Sequence, residues 1–205
     1  MNSSRVTLSV ALAAGAASFV MTLAACGSDA HTSASSAART PSPAVTTPTA
    51  AASTCPMAAP SDGGAAEWTL SGDTGSVAVT GSTDTAAPQV TVDAPFSVAE
   101  TQVHTLRAGD GPIVAADATV SVCYMGVDGR DGAVFDSSYQ RGVPADFPLN
   151  RVVPGFQKAI AGQKVGSTVA VAMTSADGYP DGQPAAGIEK GDSLVFAIKI
   201  LSASR

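Results

Sequence analysis

Histidine and cysteine, the side chains that most often carry nucleophilic or metal chemistry, are scarce in this chain. The sequence contains two histidines and three cysteines. His31 lies in a stretch rich in Ser, Ala, Thr and Pro, and His104 lies in a predicted strand, where a structural role is expected. A single histidine in the folded part disfavours both a Ser-His-Asp hydrolase and a zinc site. We therefore expect neither a metal nor a cofactor.

Two segments rich in glycine and aspartate could in principle bind a phosphate group or a calcium ion. Residues 108–112 contain Gly-Asp-Gly, which also occurs in phosphate-binding loops, but no helix start follows, so a turn is favoured. Residues 128–132 contain two aspartates, but they lack the ligand spacing and the closing glutamate of a calcium loop. We interpret this second segment as the turn of a hairpin.

The overall charge excludes another class of partner. Of 205 residues, 17 are acidic and 11 are basic, which gives a formal net charge of −6. Because the chain has no compact basic cluster, we expect no nucleic-acid partner. The length suits one domain with an extension, and we expect a monomer.

The N-terminus predicts export. A basic start and an apolar run end in Leu-Ala-Ala before Cys26, which resembles the lipobox of bacterial lipoproteins. We expect residues 1–25 to be a lipoprotein signal peptide, and Cys26 to carry a lipid (palmitate) that anchors the chain to the membrane outside the cytoplasm. The alternative is an uncleaved anchor, because the run is long enough to span. Residues 26–54 lack large apolar side chains and predict a flexible tether.

The remaining chain predicts strands around one helix. Residues 55–87 form an extension with short strands, and residues 88–205 form the main domain. Alternating apolar residues predict strands at 102–106, 118–125, 133–137, 167–174 and 193–201. Pro154 suits a first helical turn, an apolar stripe from Val153 to Ile160 follows, and Gly162 suits a left-handed stop. Strands with one helix on one face indicate an antiparallel α+β fold.

Four sequence blocks, taken in order, resemble the FKBP-type peptidyl-prolyl cis-trans isomerases. They are Val-Ser-Val-Cys-Tyr-Met-Gly at 120–126, Gly-Ala-Val-Phe-Asp-Ser-Ser at 132–138, Val-Val-Pro-Gly-Phe at 152–156 with Val-Gly at 165–166, and the run from Gly-Ile at 187–188 to Asp-Ser-Leu-Val-Phe at 192–196. The resemblance covers residues 102–203. It implies an antiparallel half-barrel sheet wrapped around one short helix, with an apolar pocket between them that binds proline-containing polypeptides and, as inhibitors, macrolides.

The resemblance also implies roles for individual residues. Tyr124, Phe135 and Phe196 form an aromatic wall, and Phe156 forms the floor where tryptophan is usual. The Val153 backbone N–H and the Tyr179 hydroxyl donate to substrate carbonyls. Asp136 pairs with Arg141 at the pocket edge. The lining is completed by Phe147, Val152 and Ile188. The alternatives are that these aromatics are ordinary core residues, that Asp136 caps a turn, and that Tyr179 packs under its own loop.

Several positions depart from the family pattern. Ala145 stands where phenylalanine is common, Gly187 where isoleucine is frequent, and Pro180 where glycine is usual. These changes imply a more open rim. The sequence therefore predicts an isomerase that acts on Xaa-Pro bonds of exported or cell-envelope proteins, with a catalytically weak proline-peptide-binding chaperone or scaffold as the alternative. A purely structural envelope lipoprotein is a third reading.

Cys55 and Cys123 remain once Cys26 carries the lipid. An even pair of cysteines outside the cytoplasm is a candidate disulfide. Cys123 alternates with Tyr124 and should point to the outer face of the sheet, where an N-terminal extension could lie. We hypothesise that the two cysteines bond and fix that extension; the alternative is two unrelated thiols.

Overall fold

The computed structural model describes residues 54–60 and 65–204, and strands are their main regular element. The elements in chain order are β1 (Trp68–Ser71), β2 (Thr74–Thr80), β3 (Gln89–Ser97), β4 (Gln102–Arg107), β5 (Thr119–Asp128), β6 (Val134–Ser137), α1 (Ser138–Arg141), β7 (Ala145–Pro148), α2 (Pro154–Ile160), β8 (Thr168–Met173) and β9 (Leu194–Ser204). Single 3-10 turns lie at Leu149–Arg151, Ser175–Asp177 and Pro184–Ala186. The predicted signal peptide, Cys26 and most of the tether lie outside the described residues. None of the helices described here is long and apolar enough to cross a membrane.

Two antiparallel sheets make up this part of the chain. The main sheet has the order β4-β8-β9-β5-β6, and β7 pairs with another part of β5. The smaller sheet has the order β1-β2-β3. The main sheet with α2 on one face confirms the predicted antiparallel α+β fold wrapped around a short helix.

The alternation read from the sequence holds in the main sheet. Val120, Val122 and Tyr124 of β5 point into the core on the helix side, while Cys123 belongs to a separate cluster on the opposite side. In β9, the residues from Leu194 to Ile200 at every second position join the same helix-side core. Because side chains alternate between sheet faces, the apolar pattern fixes which residues face the helix.

Helix α2 lies close against the sheet. Its Phe156, Ala159 and Ile160 are buried, as the predicted stripe requires. A Cβ at Gly155 would lie 2.7 Å from the Met173 sulfur, so only glycine allows this approach to β8. The helix ends at Ile160, two residues before Gly162, which has the positive φ of +81° expected of a stop.

The other face of the main sheet is covered by the smaller sheet. Val77 and Val79 of β2 and Phe96 of β3 pack against a row of small residues on β8 and β9: Ala170, Ala172, Val195 and Ala197. Small side chains on this face let the two sheets approach closely. All six residues of β8 are consequently buried.

A disulfide links the extension to the back of β5. Cys55 and Cys123 are bonded, with their Cα atoms 5.7 Å apart and a sequence separation of 68. They pack with Ala87 and Tyr139 in a buried cluster, and the Tyr139 hydroxyl lies 2.8 Å from Ser82 Oγ. Cys123 faces away from Tyr124, and segments of the extension cover it.

Three elements were not expected from the sequence: β1, β7 and α1. Helix α1 is a single turn in which the Ser137 side chain accepts a hydrogen bond from the Gln140 N–H, and it ends at Gly142 with φ of +72°. Strand β3 runs from Gln89 to Ser97, and its later residues continue along β2. These short elements carry little apolar periodicity of their own and form through their neighbours.

Candidate functional site

A hollow of about 350 Å³ lies between the start of α2 and the helix-facing side of β5, β6 and β9. Its lining is mostly apolar and consists of Tyr124, Phe135, Asp136, Phe147, Arg151, Val152, Val153, Phe156, Tyr179 and Phe196. Nine of these ten residues belong to the set predicted from the sequence. The structure therefore brings together in one place side chains that come from five separate parts of the chain.

The rings meet edge to face. The centroid of Phe156 lies 5.4 Å from that of Phe196 and 6.0 Å from that of Tyr124, with interplanar angles near 80° and 86°. Phe135 meets Phe196 at 5.5 Å, and Phe147 meets both Tyr124 and Phe156 at 5.7 Å. Edge-to-face packing holds rings at defined angles. Each of these rings is therefore held in place by contact with another ring of the lining.

Gly126 on β5 makes the ring wall possible. A Cβ at this position would lie 2.5 Å from the Phe135 ring and 2.8 Å from the Phe196 ring. Gly126 pairs with Phe196 on β9 and with Asp136 on β6. Two rings from neighbouring strands can therefore meet above β5 only because residue 126 has no side chain.

The start of α2 places Val153, which carries a free backbone donor in the described part of the chain, in the lining of the hollow. Val153 is the N-cap residue, and its carbonyl accepts the N–H groups of Phe156 at 3.0 Å and Gln157 at 3.2 Å. Its own N–H has no hydrogen-bond partner within residues 54–60 and 65–204. A donor at a helix start is oriented to bind a carbonyl oxygen.

One carboxylate lies at the edge of the hollow, and it is neutralised. Asp136 accepts hydrogen bonds from the Tyr124 hydroxyl and from Arg141, and Arg141 also donates to the Tyr124 oxygen at 3.1 Å. Burial acts to raise the pKa of Asp136, but the hydrogen bonds from Tyr124 and Arg141 outweigh burial and lower it. Burial, with the hydrogen bond to Asp136, raises the pKa of Tyr124 to about 12. At neutral pH this group holds a carboxylate, a guanidinium and a neutral phenol, and none is suited to proton transfer.

Tyr179 reaches the hollow from the loop between β8 and β9. It is half-buried, and its backbone carbonyl accepts the Gly182 N–H at 3.0 Å, which closes a turn directly after Tyr179. The hydroxyl makes no hydrogen bond with the residues that the structure describes. It is available as a second donor.

Two predicted residues are not part of the lining. Ile188 is 2% exposed and packs in the same hydrophobic core, but it does not line the hollow. Arg141 acts through Asp136 and Tyr124 and is also not part of the lining. Conversely, Arg151 lines the hollow and was not predicted. Its place in the sequence directly before Val152-Val153 does not by itself distinguish Arg151 from the other arginines of the chain.

Comparisons with known proteins decide the family. The FKBP-type peptidyl-prolyl cis-trans isomerase family model matches residues 111–201. An FK506-binding protein of Streptomyces anulatus is 33% identical over 107 residues, which are 51% of this chain and 86% of that protein. A probable FK506-binding protein of Corynebacterium glutamicum is 32% identical over 117 residues, which are 57% of this chain and 98% of that protein. The chain belongs to the FKBP-type peptidyl-prolyl cis-trans isomerase family.

A solved structure, that of FkpA from Escherichia coli, is similar as well. It is 30% identical, the match covers 51% of this chain and 48% of that one, and the TM-score is 0.46. Family membership confirms the resemblance read from the sequence. The chain is an FKBP-type peptidyl-prolyl cis-trans isomerase, and its partners are proline-containing peptides.

Proposed function

We propose that the ring-lined hollow is the active site and that it accelerates rotation about Xaa-Pro bonds without proton transfer or a covalent intermediate. The observation that carries this proposal is the enclosure of one hollow by six aromatic rings, with the Val153 N–H, which has no partner among the described residues, at its edge. In this assignment Tyr124, Phe135, Asp136, Val153, Phe156, Tyr179 and Phe196 are catalytic. Arg141, Phe147, Val152 and Ile188 bind substrate or support the residues that do.

The barrier to rotation comes from amide resonance. It amounts to about 18–20 kcal/mol, so uncatalysed Xaa-Pro isomerisation takes tens to hundreds of seconds. The planar amide is strongly dipolar and well solvated by water, whereas the twisted state is less dipolar. An apolar pocket therefore favours the twisted state relative to the planar one. Lowering the barrier by about 7 kcal/mol would accelerate the rotation roughly 10⁵-fold.

Two donors fix the substrate while one side rotates. The Val153 N–H and the Tyr179 hydroxyl both border the hollow and lack other partners in the described part of the chain. Holding two carbonyls leaves the proline side of the bond as the part that turns. Asp136 and Arg141 keep the Tyr124 ring in place at the wall.

Macrolide inhibitors are proposed for the same hollow. The floor is the smaller Phe156 ring, and Ala145 and Gly187 leave the rim open, so we expect weaker macrolide binding than in relatives with larger side chains there.

The clients are proposed to be exported or cell-envelope proteins. The pattern of residues 1–26 supports an export signal with lipidation at Cys26. The Cys55–Cys123 disulfide also supports an oxidising compartment outside the cytoplasm. In this account residues 1–25 are the signal peptide, 26–54 the tether, 55–87 the extension and 88–205 the isomerase domain.

The alternative function is a proline-peptide-binding chaperone or scaffold with weak turnover. The open rim supports it, because fewer contacts hold the substrate in the twisted geometry. Both functions predict peptide binding, but only an isomerase predicts turnover.

A protease-coupled assay on the full chain in detergent separates these functions. The substrate is an Ala-Leu-Pro-Phe anilide, in which the protease cleaves only the trans form. We expect the slow cis phase to accelerate in proportion to protein concentration. A cis phase that keeps its buffer rate at every concentration would reject the isomerase proposal.

A further inference from the structure

The hollow carries one cation that nothing in the described structure neutralises. Arg151 is exposed at the rim and forms neither an ion pair nor a hydrogen bond with any residue in 54–60 or 65–204. The other charged groups of the site, Asp136 and Arg141, pair with each other. The net charge facing a bound peptide is therefore positive, although the whole chain has a net charge of −6.

The backbone beneath Arg151 is firmly placed. Leu149, at the start of the same 3-10 turn, is fully buried, and its N–H donates to the Ala118 carbonyl at 2.9 Å. The turn ends directly before Val152 and Val153, which both line the hollow. A buried anchor thus sets where the Arg151 backbone lies beside the hollow, and the exposed side chain starts from that fixed point.

The spacing determines which part of a substrate Arg151 can reach. It lies two residues before Val153, whose N–H is proposed to hold a substrate carbonyl, and two residues span at most about 7 Å. A side chain next to the proline of a bound peptide falls within that distance. Asp146, on the neighbouring strand β7, alternates with Phe147 and therefore points away from the face that lines the hollow.

We propose that Arg151 is a specificity-determining residue that selects substrates with an aspartate or glutamate flanking the proline. This inference rests on the proposed active site and deepens it by naming a substrate class. A carboxylate at this position meets a guanidinium and no competing anion, because Asp136 is already paired. Since the pair is exposed to solvent, the preference is modest, about two- to fivefold in kcat/KM at low salt.

The test uses matched peptides and the full chain. Each peptide carries Glu, Gln or Lys either before or after the proline, together with a fluorophore whose emission differs between the cis and trans forms. The change in emission then gives kcat/KM for each peptide without a coupling protease. We expect Glu to exceed Gln on one flank, Lys to fall below Gln, and the Glu/Gln ratio to approach one at 1 M salt, because the Debye length is then about 3 Å.

Variants assign the effect to Arg151. In Arg151→Gln the Glu/Gln ratio should approach one, and in Arg151→Glu the order should reverse so that Lys is preferred. Lys164→Gln is the matched control: Lys164 is an exposed cation beyond the far end of α2, so the same change in net charge should leave the ratio as in the natural chain. Equal kcat/KM for Glu and Gln on both flanks, with the Gln peptide still turned over, would overturn this inference alone. No turnover of any peptide would overturn the proposed active site with it.

Discussion

The two faces of the main sheet are both covered by other parts of the chain, and the ring-lined hollow lies on the helix face. On the back face, alanines on β8 and β9 meet Val77, Val79 and Phe96, and small and large side chains fill the layer between the sheets. On the helix face, β5, β6 and β9 present rings that meet edge to face and support one another around a hollow. The pocket therefore does not arise from a lack of apolar residues. It lies where rings that pack edge to face against one another leave space at the start of α2.

The largest expected effect is on stability and comes from the disulfide on the back face of the main sheet. We expect the double variant Cys55→Ser/Cys123→Ser to lose about 4 kcal/mol of unfolding free energy, because the bond closes a long loop in the unfolded chain. Urea unfolding of the variant and the oxidised chain measures this loss. Under conditions where both are folded, kcat/KM should stay within a factor of about three. A hundredfold loss of kcat/KM in the folded variant would mean that the back of β5 controls the pocket.

Neighbouring residues on β9 provide a matched pair. Phe196→Ala removes a pocket ring and should cost about 3 kcal/mol of stability, together with about a hundredfold in kcat/KM. Val195→Ala, on the back face, should cost about 1–2 kcal/mol of stability and leave the kcat/KM of the folded protein unchanged. Similar losses of kcat/KM in both variants would contradict the assignment of function to one face.

Two carboxylates along the β5–β6 hairpin should respond to pH in opposite directions. The folded pKa of Asp136 is lowered, so its stabilisation is present above the unfolded pKa and is lost as pH falls through the folded value. Burial, despite the hydrogen bond from the Arg130 N–H, raises the pKa of Asp128 to about 6. Its contribution is therefore fully present below the unfolded pKa and is lost as pH rises through about 6.

Asparagine variants test this contrast, because asparagine keeps an acceptor oxygen without titrating. Relative to the natural chain, Asp136→Asn should be less stable at pH 7 and should approach it in acid. Asp128→Asn should gain relative stability as pH rises from 4 to 8. Unfolding midpoints across this range provide the measurement, and parallel curves for both variants would contradict the two assigned environments.

The smallest expected effect concerns the floor of the pocket. Phe156→Trp should retain kcat/KM within about threefold and stability within about 1.5 kcal/mol, since aromatic replaces aromatic in a partly open space. The variant also adds a reporter. The introduced indole should change its fluorescence when a proline peptide binds, whereas Trp68, stacked on His104 at 5.6 Å in the extension, should not. A large loss of activity, or a strong response from Trp68 alone, would show that the pocket is shaped differently.

Much of this architecture could be predicted because it follows local periodicity. The alternation along β5 predicts that Tyr124 and Cys123 face opposite sides of the sheet. Pro154 and the apolar stripe that follows it predict the position of helix α2. Roles for single residues, such as the Val153 N–H and Tyr179, came from the family resemblance and are still proposals. Strand β7 and helix α1 could not be read, because four-residue elements take their stability from tertiary neighbours.

The back-face packing and the rim charge were missed for a related reason. Ala170, Ala172 and Ala197 give no sign in the sequence that another sheet covers them. Arg151 is one exposed arginine among several, and only the three-dimensional arrangement shows that it borders the hollow without a partner. Ile188, which the resemblance implied as a lining residue, is 2% exposed and packs in the core next to the lining, so its place in substrate binding is still a proposal.

The central claim is that the hollow lowers the rotation barrier and does not merely bind proline. Exchange NMR on an Ala-Leu-Pro-Phe peptide tests it directly, because peptide cis–trans exchange and the Val153 amide resonance are observed in one sample of the full chain. We predict that the Val153 resonance shifts when the peptide is added. We also predict that substoichiometric protein shortens the cis–trans exchange time of the peptide from tens of seconds to the millisecond range. A shifted Val153 resonance with exchange at its uncatalysed rate would contradict the account and establish a binding module instead.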